Sequence, residues 1–194
     1  MGLKIAVLAG GTFEPERSVA AANDVIAALK EAEHELELVM VDGGLVDTLL
    51  RSQPDVAINC LRGADGESGD IQDALEAANV PCVGSSAAVC RRAYDKAGLA
   101  EALQAYHNLT EDVTTAVAAQ SLTLSRRAFG AWGAEAVLSQ VESRISSGYP
   151  LCVKPASASA AQGVCRVENA EQLSEALHEA LKLADRALVQ QWVE

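Results

Sequence analysis

The chain reads as α/β: a parallel sheet wound by helices on both faces, then a smaller α+β unit. Three observations predict this. Apolar strands and amphipathic helices alternate from residue 3 to residue 84, the pattern of a parallel sheet covered on both sides. The first strand, "LKIAVLAGG", is an unbroken apolar run closed by two glycines, as expected of a strand buried on both faces. Beyond residue 90 the alternation gives way to a long helix, a weakly patterned stretch, a β pair, a helix and a strand. The domain boundary is therefore placed there, with one domain over 1–90 and a second over 91–194.

The elements follow in order. After the first strand, "ERSVAAANDVIAALKEA" carries apolar residues at helical spacing, and "HELELVMVDGG" is a second strand. "LVDTLLRSQ" is a short helix stopped by Pro54, and "DVAINCLRG" is a third strand; proline cannot continue a helix. "SGDIQDALEAANV" is a helix and "PCVG" a short fourth strand. Ligands of such sheets sit beyond the carboxyl ends of the strands. The loops leaving those ends are "GGTFEPER", "LRGADGESGD" and "GSSAAV". In the second half, "AAVCRRAYDKAGLAEALQAY" reads as one helix. Residues 107–148 are weakly patterned, with a short strand near "EDVTTAV" and a helix over 134–146. "YPLCVKPA" and "QGVCRVE" form a β pair around a small-residue loop. "NAEQLSEALHEALKLA" is a helix with Asn169 as its N-cap, and "RALVQQWV" is a final strand.

Composition narrows the function. Lys and Arg are outnumbered 15 to 27 and the net charge is −12, which argues against nucleic acid as a partner, since phosphate neutralisation supplies most of that affinity. An acidic chain can still bind ATP if a few lysines aim at the phosphates. No apolar run approaches the roughly 20 residues of a membrane helix, so no membrane partner is expected. The five cysteines contain no C-x-x-C pair. Cys60, Cys82 and Cys152 lie in apolar runs, where Cys behaves as a small hydrophobe. The odd count and the lack of a secretion signal predict a reducing, cytoplasmic location.

Six segments in order and spacing resemble the D-alanine–D-alanine ligase family of ATP-grasp enzymes: "KIAVLAGGT" with its following "ER-V", "NCLRGADGESGDIQ", "VPCVGSS", "YDK", "GYPLCVKP" and "RALVQQWV". The resemblance implies a Rossmann-like N-terminal domain followed by an ATP-grasp small lobe. The implied activity is ATP-dependent joining of a carboxylate to an amine through an acyl phosphate, in peptidoglycan precursor synthesis. It also implies ATP, Mg²⁺ and D-alanine as ligands, and leaves open a homodimer through the first domain. The family's C-terminal lobe, which supplies the magnesium ligands, has no counterpart among these residues. This chain alone is therefore expected not to complete the reaction, and a noncatalytic binding module or one half of a split ligase stands as the alternative. The missing lobe would then be a partner in trans.

By the same resemblance, Glu16 matches the family glutamate that anchors the first D-alanine. One extra residue in "TFEPER" makes Glu14 an alternative. Arg62 stands in place of the family histidine and can meet a carboxylate. Lys96 and Lys154 match the lysines that contact ATP phosphates. Gln190 takes the place of the adenine-hinge glutamate, followed by Trp192 and Val193. The loop over the phosphates, normally rich in Gly and Ser, here reads Ser157, Ala158, Ser159, Ala160, Ala161, Gln162, Gly163. Ser159 replaces a glycine, and Ala160 and Ala161 replace serines, one of which belongs to the substrate's hydrogen-bond network. Fewer glycines restrict the positive-φ conformations a phosphate nest uses, so the loop is expected to be a flap with thinned chemistry. No residue is assigned to a metal. Each assignment has a structural alternative. Glu16 would complement a helix dipole, Lys154 would snorkel at a strand edge, and Lys96 would be solvated. A generic nucleotide-binding fold remains open too, though "AGGT" lacks a full G-x-G-x-x-G.

Overall fold

A computed structural model describes residues 2–41, 44–109 and 119–193. The chain divides into two compact units, Met1–Arg91 and Arg92–Glu194. In the first, β1 (Lys4–Gly10) is the centre of a three-stranded parallel sheet of order β2-β1-β3, with β2 (Glu35–Val41) and β3 (Val56–Asn59) beside it. Ile5 stands opposite Leu36 on one side and Val56 on the other. The central strand is apolar at every turn of its pleat because both of its faces are covered. Ile5, Val7 and Ala9 pack under α1 (Pro15–Leu29) with Ala22, Val25 and Ile26. Ala6 and Leu8 pack under α2 (Leu45–Ser52) and α4 (Asp70–Ala77) with Leu49, Ile71 and Leu75. Leu8, Leu49 and Leu75 are fully buried, each worth about 1.5–3 kcal/mol of transfer free energy.

The second unit is a four-stranded antiparallel sheet of order β4-β7-β5-β6. Its strands are β4 (Ser121–Ser125), β5 (Leu151–Pro155), β6 (Cys165–Val167) and β7 (Arg186–Gln191). One face carries α7 (Arg126–Arg144) and α8 (Ala170–Leu183). Against them pack Leu124, Leu151, Val153, Val167, Ala187 and Val189. Strand alternation then places Cys152, Lys154, Leu188 and Gln190 on the opposite face. Lys154 pairs in register with Leu188, and Cys152 with Gln190. Among the described residues no helix is long and apolar enough to cross a membrane.

Several boundaries differ from those read in the sequence. The helix expected over "AAVCRRAYDKAGLAEALQAY" is two, α5 (Ala87–Tyr94) and α6 (Lys96–Leu109). Asp95 divides them, because its Oδ1 accepts a hydrogen bond from Gly98 N (3.2 Å) and so starts a new helix. "PCVG" makes only an isolated bridge, Cys82 to Ala57, not a strand. The loop "LRGADGESGD" contains a one-turn helix, α3 (Ala64–Glu67). The helix placed over 134–146 begins earlier, at Arg126, where Ser125 caps it by accepting from Ala128 N; Gly133 inside it is non-helical (φ 69, ψ 165). β4 lies where the sequence pattern shows no strand, and the strand expected near "EDVTTAV" lies outside the described residues.

Candidate functional site

The chemistry-bearing residues of the first unit gather at the carboxyl ends of β1 and β3, where the order β2-β1-β3 reverses direction. Ser18, buried in α1, ties these ends together: its Oγ donates to Cys60 O (3.0 Å) and accepts from Gly10 N (3.0 Å). Asp65 secures the turn after β1, accepting from the Thr12 backbone N–H and from Thr12 Oγ1 (2.8 Å). The Thr12 amide holds the Asp65 carboxyl below its ordinary value; burial opposes this, and the Thr12 hydroxyl and Phe13 amide add to the lowering. Gly63 has φ +68 and its missing Cβ would lie 2.8 Å from the Phe13 ring, so the two loops are packed backbone against side chain.

Inside this frame the carboxylate that meets Arg62 is Glu14, not Glu16. Glu14 adopts the left-handed conformation (φ 46) just before Pro15 starts α1. It accepts from Arg62 Nε at 2.7 Å and lies 3.2 Å from Arg17 Nη1. Glu16 stands exposed in the first turn of α1. Glu14, the alternative opened by the extra residue in "TFEPER", is thus the acid placed at the strand ends, engaged by this chain's own guanidinium groups.

In the second unit Lys154 and Gln190, of the predicted nucleotide residues, stand on the sheet face opposite α7 and α8. Lys154 Nζ donates to Gln190 Oε1 at 2.7 Å. Two residues further along the chain, Ala156 O accepts from Lys96 N (2.8 Å), which brings the first residue of α6 against the end of β5. Lys96 Nζ donates to Ala158 O and lies 5.5 Å from the Tyr94 ring centroid. Trp192 is stacked under the Arg166 guanidinium (4.9 Å), its backbone N–H donating to Pro150 O (3.4 Å), while Val193 is largely exposed.

The loop between β5 and β6 does not avoid positive φ for want of glycine. Ala160 (φ 52) and Ala161 (φ 56) are both left-handed, and so is Gly163 (φ 66). Gln162 N bonds to Ser159 O (3.1 Å), closing a turn with two positive-φ central residues, the type I′ arrangement. Ser157 is exposed and Ser159 is buried. The expectation that alanine restricts the loop's backbone is corrected: the loop is bent as a glycine-rich one would be, at a steric cost of about 1–2 kcal/mol per left-handed residue.

Burial raises the thiols of Cys60, Cys82 and Cys152, which leaves these three poor nucleophiles at neutral pH. Among the described residues no group of three or more His, Cys, Asp and Glu side chains is arranged to hold a metal ion. Sequence reasoning missed Ser18, Asp65 and Asp95. The available signal was a polar residue inside an apolar helical run for Ser18, and an acid one and three residues before a glycine for Asp65 and Asp95.

The geometry defines the class first: a doubly wound parallel unit followed by an antiparallel sheet with two helices on one face, lysines on the other and a small-residue flap, the architecture of an ATP-grasp enzyme's first two parts. The family model described as "D-ala D-ala ligase C-terminus" matches residues 104–194. D-alanine–D-alanine ligases of Geobacter sulfurreducens and Ectopseudomonas mendocina are 33% and 30% identical over 98% of this chain and 55% of their own length. Among solved structures, the D-alanine–D-alanine ligase of Bacillus anthracis superposes with a TM-score of 0.76 over all of this chain and 58% of that one, at 21% identity. The VanG D-Ala:D-Ser ligase of Enterococcus faecalis superposes equally well, TM-score 0.76, over 64% of its chain at 21% identity. The chain is similar to D-alanine–D-alanine ligases over nearly its whole length, and it spans about half the length of the curated relatives it matches.

Proposed function

We propose that this chain carries the nucleotide-gripping part of a D-alanine–D-alanine ligase, acting in the cytoplasm on peptidoglycan precursors. The reaction is ATP-dependent. The carboxylate of one D-alanine attacks the γ-phosphorus, releasing ADP and forming an acyl phosphate. The amine of a second D-alanine then attacks that carbonyl, and phosphate leaves. Positioning and charge neutralisation supply most of such catalysis.

The observation that carries this reading is Lys154, whose ammonium stands on the sheet face away from the core, oriented by Gln190, with Lys96 two residues further on at Ala156 and the flap beside both. A lysine at mid-sheet needs an anionic or polar partner, and a polyphosphate is a stronger acceptor than an amide oxygen. A Bacillus anthracis relative of the same fold, 21% identical, has been solved in complex with ATP. Gln190 offers the base one acceptor without a charge. Glu14 and Arg62 supply an acid and a base at the first unit's strand ends, where an amino-acid zwitterion has complementary groups.

A second reading is favoured by the Glu14–Arg62 contact and by the alanines of the flap: a binding module that holds nucleotide and does not complete ligation unaided. Calorimetric titration with ATP, with and without Mg²⁺, tests the shared element. Saturable heat at millimolar ATP, weakened about tenfold or more by Lys154→Met as loss of a charged hydrogen bond requires, is the expected result. Absence of heat in the native chain overturns both readings. Phosphate release on adding D-alanine then separates ligase from binding module.

A further inference from the structure

Lys96 holds the flap at two points. Its backbone N–H bonds to Ala156 O (2.8 Å), and its side-chain ammonium donates to Ala158 O. The strand β5 ends at Pro155, so these two acceptors are the first and third residues of the loop that follows. Around Lys96 the chain is braced. Asp95 Oδ1 accepts from Gly98 N, and Asp95 Oδ2 accepts from Arg186 Nη2 (2.6 Å). Arg186 O in turn accepts from Ala156 N (2.9 Å), extending the β5–β7 pairing by one residue. Tyr94 lies 5.5 Å from the ammonium. The segment Tyr94–Lys96 is thus a bracket between the start of β7 and the root of the flap.

We infer that Lys96 is a positioning residue, a latch that restrains the 157–164 flap through Ala158 O and gives up that bond when its ammonium engages an anionic ligand. The carbonyl it holds is neutral, and an ammonium bonds a phosphate oxygen more strongly than a peptide oxygen. One ammonium shared between flap and anion makes flap mobility and anion binding depend on each other, and such coupling is reciprocal. The loop has cause to move once released, since Ala160 and Ala161 are held in left-handed conformations. The anion in question is the ATP polyphosphate, so the coupling rests on the nucleotide reading above; the restraint itself does not.

Amide hydrogen exchange across residues 156–164 tests both parts in the full chain. Lys96→Met is expected to speed exchange of the flap amides about tenfold, the loss of one charge-assisted hydrogen bond, while Lys96→Arg, which keeps charge and donors, largely restores protection. Lys154→Met, whose ammonium in the native chain bonds Gln190 Oε1, leaves flap exchange unaltered. Adding ATP or inorganic triphosphate to the native chain changes flap exchange, and Lys96→Met abolishes that response, which a purely structural lysine would not do. Unchanged flap exchange in Lys96→Met, with the melting temperature preserved, overturns the latch even if ATP binds. A faster flap in Lys96→Met, with no heat of ATP binding in the native chain, retains the latch and removes the nucleotide reading.

Discussion

At the scale of single residues, the flap alanines concentrate the chain's departure from an easy backbone. Ala160 and Ala161 occupy the two central positions of a turn closed by Gln162 N on Ser159 O. That turn favours Asn-Gly, because glycine has no Cβ to clash and asparagine tolerates the left-handed region. Replacing the pair by Ala160→Asn with Ala161→Gly relieves strain at both residues while adding the backbone entropy of one glycine. The net gain is about 1 kcal/mol, and melting followed by circular dichroism should rise by about 2–8 °C. An unchanged or lower melting temperature would show that the turn is not strained as its φ angles imply. Glu14 is the parallel case in the first unit: its left-handed backbone (φ 46) aims its carboxylate at Arg62 and Arg17.

At the scale of elements, the regular parts were legible because burial imposes a period. β1 was readable from an unbroken apolar run, and α8 from apolar residues at helical spacing behind Asn169, whose Oδ1 accepts from Gln172 N (3.1 Å). Gln172 Oε1 accepts from Glu168 N (2.9 Å), the residue just before the cap, so a second bond ties the helix start to the preceding chain. Asn169→Ala should cost about 1 kcal/mol, read as a lower denaturation midpoint at unchanged denaturant slope; a change in slope instead would mean that α8 unfolds separately. Other elements were illegible for physical reasons. Asp95 splits a continuous helical pattern with one side-chain bond, which periodicity does not register. β4, "SLTLS", is polar at alternate positions and, among the described residues, pairs with β7 alone. At the candidate site, Lys154 was readable as a charge ending an apolar strand. Glu16 is the sequence's first choice and Glu14 only the alternative, because the choice turns on one left-handed residue before Pro15 that no local pattern signals.

At the scale of the whole molecule, acid stability unites the two units, because each is fastened by a carboxylate whose ionised form the fold favours. In the first, the Thr12 amide holds Asp65 below its ordinary value. In the second, burial raises Asp95, but the Gly98 amide, Arg186 and the Ala97 amide outweigh it and the net shift is downward. A carboxyl with a lowered folded value binds its proton more readily when unfolded. Its contribution is complete above the unfolded value of about 3.9 and is lost as pH falls through the folded one. A second effect runs the other way. With a net charge of −12, acidification from neutrality toward the isoelectric point near 4.7 first relieves self-repulsion. The native chain should therefore hold or gain melting temperature between pH 7 and about 5, then lose it steeply below about pH 4. Asp65→Asn and Asp95→Asn should each melt lower than the native chain at pH 7, and the difference should shrink as pH falls toward 3. Differences that stay constant from pH 7 to pH 3 would show that neither carboxylate is held by its charge, leaving the Thr12 and Gly98 bonds as neutral contacts that an amide replaces.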